Sequence, residues 1–261
     1  MERNLTSGSV LKNILYFSLP YLLSYFLQTL YGMADLFIIG QFEGVAGTTA
    51  VSIGSQVMHM LTVMIVGLAM GSTVSIAKAI GANDKKEASR SIGNTVTLFM
   101  LVAIALMVIL LCLVHPIVAV MSTPSEAVSG TVTYLTICFI GIPFITAYNI
   151  ISSVFRGLGD SRSPMYFIAV ACVTNIVLDY VFIGALHLGP AGAALGTTLS
   201  QAVSVVIALI VILKKNTGIS VSKKDFRPQH RAMGQILRIG IPVAMQDGLI
   251  QIAFIIITII A

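Results

Sequence analysis

The sequence predicts an all-α integral membrane protein, and three observations support this fold class. First, 57% of its 261 residues are hydrophobic and only 10% are charged, whereas soluble domains carry about 25% charged residues. Second, basic residues are confined to alternate connections between long apolar runs. Third, there are seven such runs, each near the ~20 residues that a membrane-spanning helix needs: 14–39, 45–71, 94–114, 128–153, 164–186, 190–213 and 239–261.

The basic residues predict the orientation of these spans. Each of the fifteen Lys and Arg residues lies before the first span or in the connection after the second, fourth or sixth span. Lys and Arg mark the cytoplasmic side of a membrane protein. We therefore expect a multi-pass protein of the plasma (bacterial inner) membrane with a cytoplasmic N-terminus. This placement also accounts for the net charge of +5 without a nucleic-acid partner.

Two similar segments predict an internal repeat. KNILYFSLP at 12–20 resembles GQILRIGIP at 234–242, and six spans separate the two copies, so both enter the membrane from the same side. Such copies form parallel repeats about an axis along the membrane normal. We expect a six-helix lobe at 1–213, a basic cytoplasmic linker at 214–238 that faces anionic lipid headgroups, and the first helix of a truncated second lobe at 239–261. The chain resembles a fragment of a protein nearly twice as long.

Polar side chains from four spans share one depth in the outer leaflet: Asp35, Tyr134, Asn175, Asp179, Thr197 and Thr198. A carboxylate at the centre of a membrane helix costs roughly 2.5–3.5 kcal/mol, so a use or a partner is expected for each acid. Residues four apart share a helix face, which pairs Asn175 with Asp179. Two carboxylates at one level can share a proton, or bind a small hard cation with amide and hydroxyl oxygens.

Structural explanations remain open for several of these residues. Asp35 and Asp179 could each be hydrogen-bonded to a neighbouring helix, and hydroxyl side chains commonly tie membrane helices together. His59 is interpreted as a packing residue rather than a proton carrier. Gly67–Gly71 and Gly192–Gly196 have the GxxxG spacing of close helix contacts. Pro20 and Pro143 are expected to interrupt the first and fourth spans, as a hinge or as a static kink.

Five segments resemble the multidrug and toxic compound extrusion (MATE) transporters. They are LPYLLSYFLQTLYGMADLFIIGQ, GLAMGSTVSIAKAIGANDKKEA, FRGLGDSRSPM, NIVLDYVFI and GPAGAALGTTLSQ. The resemblance covers the whole chain. It implies half of a twelve-helix, two-lobe fold, and a transporter rather than an enzyme. It also implies that organic, often cationic, compounds leave the cell while Na⁺ or H⁺ enters, with no other cofactor.

The resemblance also implies roles for individual residues. Proton or Na⁺ binding is expected at Asp35, Asn175, Asp179 and Thr197, and the hydrogen-bond network or substrate cavity at Gln28, Tyr134 and Thr198. Pro20 matches a proline associated with bending of the first helix. The expected partners are small-molecule drugs, membrane lipids and the remainder of the second lobe.

Three alternative functions fit the sequence less well. A lipid-linked precursor flippase of the same superfamily would carry a cationic cavity, yet no Lys or Arg lies within the spans. An intramembrane aspartyl protease is suggested by the GxGD pattern Gly157–Asp160, but that chemistry needs two aspartates at one depth. Asp160 lies at the cytoplasmic boundary, far from Asp35 and Asp179. A channel would need a repeated filter segment, which the sequence lacks.

Overall fold

A computed structural model describes residues 8–214 and 221–260, and those residues form helices, turns and short connections without a strand. The expected positions of Arg3, Lys215 and Ala261 fall outside the described residues. The helices are α1 Val10–Phe42, α2 Val45–Gly81, α3 Lys85–Val120, α4 Val128–Ile140, α5 Ile142–Gly157, α6 Arg162–Asp179, α7 Gly189–Lys214 and α8 His230–Ile260, and a π-helical segment, Tyr180–Ala185, continues α6.

Among the described residues, six helices are long and apolar enough to cross a membrane, and the bent pair α4–α5 makes a seventh if its two helices count as one span. The number of spans agrees with the seven predicted from the sequence when α4 and α5 together form one broken span. Most of the helices extend beyond the predicted apolar runs. α2, for example, has 37 residues, or about 55 Å at 1.5 Å per residue, which exceeds a hydrocarbon core of about 30 Å. The domain boundaries at 213 and 238, and the orientation of the spans, stay predictions.

The two prolines expected to interrupt their spans behave differently. α4 ends at Ile140 and α5 begins at Ile142, with a 48° change of direction between them. Pro143 is the second residue of α5, where a missing N–H costs no helical hydrogen bond. α1, in contrast, runs through Pro20 without a break. Only Pro143 therefore lies at an interruption, and bending at Pro20 stays a prediction.

Small residues bring the helices into close contact, as their spacing predicted. A side-chain carbon on Gly67 would lie 2.8 Å from Ala244 Cα, and one on Gly71 would lie 3.0 Å from Gly240 N, so α2 and α8 touch backbone to backbone. On α7, Gly192 contacts the backbone of Phe182 in the same way. Many large apolar side chains stay exposed, such as Leu101 on α3 at 58%, which suits a surface in contact with lipid.

Helices α1 and α8 share the features of the predicted repeat. Each is a long helix with one internal proline, Pro20 in α1 and Pro242 in α8, at a similar distance from its first residue. α8 packs along α2, while α1 packs on α6. The copies therefore have similar local structure in different surroundings.

Candidate functional site

Two acidic side chains from different helices meet inside the protein. Asp35 on α1 is 2% exposed and Asp179, the last residue of α6, is fully buried. The side chains of Asp179, Asn175 and Thr197 all lie close enough to the Asp35 carboxylate to interact with it. The pair is near enough for a carboxyl–carboxyl hydrogen bond, and such a bond requires that the two groups share a proton. The predicted meeting of the two acids is thus a feature of the structure.

One hydroxyl group donates directly to this pair. Thr197 Oγ1 on α7 donates to Asp35 Oδ2 over 3.1 Å. Asn175 lies one turn before Asp179 on α6 and is fully buried beside it, because residues four apart share a helix face. The four residues expected to bind the coupling ion therefore form one cluster from three helices.

Two local features bring Asp179 into this cluster. The chain changes from α-helix to π-helix immediately after Asp179, and π-helical turns occur frequently at functional sites. On the facing helix, a side-chain carbon at Gly196 would collide with Asp179 Oδ1. Gly196 therefore leaves the space that the carboxylate occupies. The sequence pattern indicated a close helix contact at Gly196, but not that an acidic side chain would fill it.

Most polar atoms of the cluster have no hydrogen-bond partner among the described residues. These atoms are Asp35 Oδ1, both Asp179 oxygens, and the amide oxygen and nitrogen of Asn175. A buried carboxylate without a donor or a counter-charge is strongly disfavoured. Protonation or a bound cation would remove that cost, and a set of carboxylate, amide and hydroxyl oxygens suits a hard cation such as Na⁺. The residues present therefore fit either coupling ion.

The cluster opens onto a cavity of about 480 Å³. Asp35 and Thr197 line this cavity, whereas Asp179 and Asn175 lie behind them. The expected cavity residues Gln28 and Tyr134 also line it, together with Tyr31 and, on α8, Gln251 and Phe254. Within the described part of the chain, no lysine or arginine lines the cavity. A small molecule in this space would face the Asp35 carboxylate.

Tyr134 reaches the cavity through contacts that the sequence did not predict. Its hydroxyl group lies 3.0 Å from Ser55 Oγ on α2 and forms a hydrogen bond with it. A side-chain carbon on Gly54 would collide with the Tyr134 ring. The adjacent pair Gly54-Ser55 thus makes room for the ring and supplies its partner. Ser55 lies ten residues into α2, at a depth similar to that of the two acids. This depth is the sequence signal that could have identified Ser55 as a partner of Tyr134.

The sequence predicts the hydrogen-bond network or substrate cavity for Thr198 and a packing role for His59, and the structure places both differently. Thr198 does not line the cavity; its side chain packs against Gly141 at the break between α4 and α5. It is separated from Thr197 by the ~100° rotation between successive helical residues. His59 is exposed and lines the cavity. It is therefore available to a bound molecule, which a packing role had not suggested.

Asp160 of the GxGD pattern has a structural role. Its carboxylate accepts hydrogen bonds from the backbone N–H of Arg162, at 3.0 Å, and of Ser163, at 3.1 Å. Ser163 Oγ donates to the same carboxylate over 2.6 Å. Asp160 therefore caps the start of α6, as acidic residues do at helix N-termini. The geometry gives the aspartyl protease alternative no support.

Comparisons with known proteins agree on one family. YpnP of Bacillus subtilis, a probable multidrug resistance protein, is 33% identical over 92% of this chain and 54% of its own length. MepA of Staphylococcus aureus strain MRSA252, a multidrug export protein, is 27% identical over 91% of this chain and 53% of its own length. The chain therefore spans about half the length of these curated relatives.

The solved structures give the same result. The outward-facing structure of a multidrug resistance MATE family transporter of the MOP superfamily matches with a TM-score of 0.86 and 28% identity. That match covers 92% of this chain and 53% of the solved one. The model of the MatE family matches residues 20–181, more than half of the sequence. The resemblance noted in the sequence is confirmed: the chain belongs to the MATE family.

Proposed function

We propose that this chain forms one half of a transporter that exports organic, often cationic, compounds across the plasma membrane in exchange for Na⁺ or H⁺. The main support for this proposal is the buried pair Asp35–Asp179. Asp35 lines a cavity of about 480 Å³. Coupled exchange requires an ion-binding group beside a substrate-binding space. The names of the relatives, a probable multidrug resistance protein and a multidrug export protein, support the same activity.

The two carboxylates act as one unit in this proposal. Two unit charges about 4 Å apart repel each other by about 4 kcal/mol at an effective dielectric constant of 20, so Asp35 and Asp179 gain most when a positive charge is shared between them. Na⁺ or a proton, when bound, supplies that charge. Asn175 and Thr197 offer neutral oxygens that complete the site. The pair therefore titrates with shared, macroscopic pKa values rather than as two independent acids.

Helix α1 connects this pair to the substrate space. Asp35, Gln28 and Tyr31 all belong to α1 and all line the cavity. A change in the position of Asp35 when an ion binds therefore moves α1, and with it part of the cavity wall. Pro20, fifteen residues before Asp35, removes one backbone hydrogen bond from α1 and so lowers the cost of bending. Ion binding and substrate release are coupled through this one helix.

The cavity wall favours cationic aromatic compounds over anionic lipid precursors. Aromatic rings at Tyr31, Tyr134 and Phe254 line the space together with Met58, and ring faces attract cations. Asp35 adds a negative charge. A lipid-linked precursor carries phosphate groups and needs a cationic wall, which the described lining residues do not provide. The flippase alternative is therefore disfavoured.

The substitution Asp179→Asn tests the proposal in the full-length protein. It keeps the shape of the side chain but removes the charge, so we expect drug efflux to fall at least tenfold with unchanged expression. Efflux of a fluorescent cation from cells measures the effect. Glu126→Gln, an exposed carboxylate in the connection between α3 and α4, is the matched control and should transport normally. Retained efflux in Asp179→Asn would contradict the proposal.

A further inference from the structure

The segment FRGLGDSRSP forms a fixed turn between α5 and α6. Gly159 adopts a φ of +85°, a left-handed conformation that favours glycine, and the Asp160 carboxylate holds the first backbone N–H groups of α6. Gly157 presses the turn onto α2, since a side-chain carbon there would lie 2.8 Å from Ile76 Cβ. The turn therefore presents the side chains at its two ends in defined directions.

Those ends carry two arginines, and both stack on tyrosines of α1. Arg156 Cζ lies 4.6 Å from the centre of the Tyr21 ring. Arg162 Cζ lies 4.5 Å from the centre of the Tyr16 ring. Within residues 8–214 and 221–260, neither arginine forms an ion pair. Arginine is the residue best suited to stacking on aromatic faces. The tyrosine rings therefore fix the positions of the two guanidinium groups.

The two tyrosines flank the weak point of α1. Pro20 has no N–H, so the helical hydrogen bond from residue 20 to the carbonyl of Tyr16 cannot form. Tyr16 is the residue that loses this bond, and Tyr21 follows the proline directly. The arginine contacts therefore bind α1 on both sides of the missing bond. Asp35 lies further along the same helix.

We propose that Arg156 and Arg162 are positioning residues that hold the cytoplasmic end of α1 through Tyr21 and Tyr16, and so set the position of Asp35. This inference rests on the proposed function. The turn fixes one end of α1 while the other end carries the ion-binding carboxylate. Without the contacts, α1 can shift as a whole, and binding at Asp35 is no longer converted into a defined change of the cavity wall.

The tyrosines give a test that leaves every charge in place. In the full-length protein, the double variant Tyr16→Leu/Tyr21→Leu removes both ring faces, while Tyr16→Phe/Tyr21→Phe keeps them. We expect the coupling-ion concentration for half-maximal efflux to change three- to tenfold in the Leu pair. In the Phe pair it should stay within twofold of the wild type. The amount of folded protein should be equal in both.

Spin labels supply a second readout that does not depend on transport. Labels at Leu19 and Tyr166, both exposed, report the distance between α1 and the start of α6. We expect the distribution of label-to-label distances to broaden in the Leu pair and in Arg156→Gln/Arg162→Gln. In the Phe pair it should not broaden. Arg227→Ala, which removes an exposed charge of the linker, is the control for charge loss and should leave it unchanged.

The outcomes separate this inference from the proposed function. Unchanged distances together with unchanged ion dependence in the Leu pair would overturn the positioning role. A lower yield of folded protein with unchanged ion dependence would overturn it as well, because it would show a purely structural contact. If the wild-type full-length protein shows no ion-driven efflux, the proposed function fails, and the label distances still decide whether the arginines hold α1.

Discussion

The acid pair is held together by residues that individually contribute little more than space or one hydrogen bond. Thr197 donates a single bond to Asp35, and the nearby side-chain amide of Asn175 makes no hydrogen bond within the described residues. Gly196 contributes only the absence of a side chain. Because carboxylates cannot donate to each other when ionised, the pair depends on an added proton or cation. The space around Asp179 therefore matters as much as its charge.

The substitution Gly196→Ala tests the importance of this space. A methyl group would collide with Asp179 Oδ1 and displace the carboxylate, so ion binding should weaken at least tenfold. The thermal stability of the purified full-length protein, with and without Na⁺ and at two pH values, measures this, because a bound ligand raises the stability of the folded state. Gly234→Ala, at a helical glycine with open space around it, should respond to ions normally.

Among the connecting elements, residues 225–229 of the predicted basic linker are docked onto α3. The buried Asn94 of α3 donates through Nδ2 to the carbonyl of Asp225 over 3.1 Å, and its Oδ1 accepts from the backbone N–H of Gln229 at 2.8 Å. Thr97 Oγ1 donates to the carbonyl of Phe226 over 2.7 Å. α8 begins at the next residue after Gln229. The linker thus fixes the start of α8 against α3.

The charge of Asp225 stabilises the local turn through Ser222 and the contact with α3 through Ser89. Its pKa is lowered because the backbone N–H and the hydroxyl group of Ser222, and the hydroxyl group of Ser89, donate to the carboxylate. Because its pKa is lowered, the ionised carboxylate adds stability to the folded linker that is fully present above the ordinary aspartate pKa of ~4 and decreases as pH falls through the lowered pKa.

A nitroxide label on Lys224 measures the docking in the full-length protein. Its mobility should stay low from pH 8 to pH 5 and rise below about pH 4. Asp225→Asn should show at pH 7 the mobility that the wild type shows only in acid. If the Asn variant is as immobile as the wild type at pH 7, the charge has no role in docking.

At the scale of the whole molecule, the cavity joins parts of the chain that lie far apart in sequence. Its wall contains residues of α1, α2, α4, α5, α7 and α8, and α8 is the first helix of the expected second lobe. The relatives are about twice as long. In the proposed exchange, the ion-binding pair therefore belongs to the first half alone, while the substrate space extends towards the second half.

If the two carboxylates form one ion-binding unit, their substitutions should not be additive. We expect Asp35→Asn, Asp179→Asn and the double variant to reduce efflux from proteoliposomes to the same low level, because residues that share one interaction show strong coupling. Imposed Na⁺ and pH gradients, applied separately, would also identify the driving ion. A double variant at least tenfold slower than either single variant would show that the carboxylates act independently.

The sequence by itself determined the number of spans, the family and the depth of the polar residues. Apolar length and helical rise are local properties, so counting residues from the end of a span gives a depth without any knowledge of neighbouring helices. That is why Asp35, Asp179 and Thr197 could be expected at one level, and why the pairing of Asn175 with Asp179 on one face followed from their spacing.

Only the tertiary structure decided how each helix is rotated about its axis. Thr197 and Thr198 lie at nearly the same depth, yet one donates to Asp35 and the other packs on Gly141. The bond between Ser55 and Tyr134, and the stacking of Arg156 on Tyr21, are likewise contacts between different helices. Rotation is set by the packing of neighbouring helices, and no property of a single span contains that information.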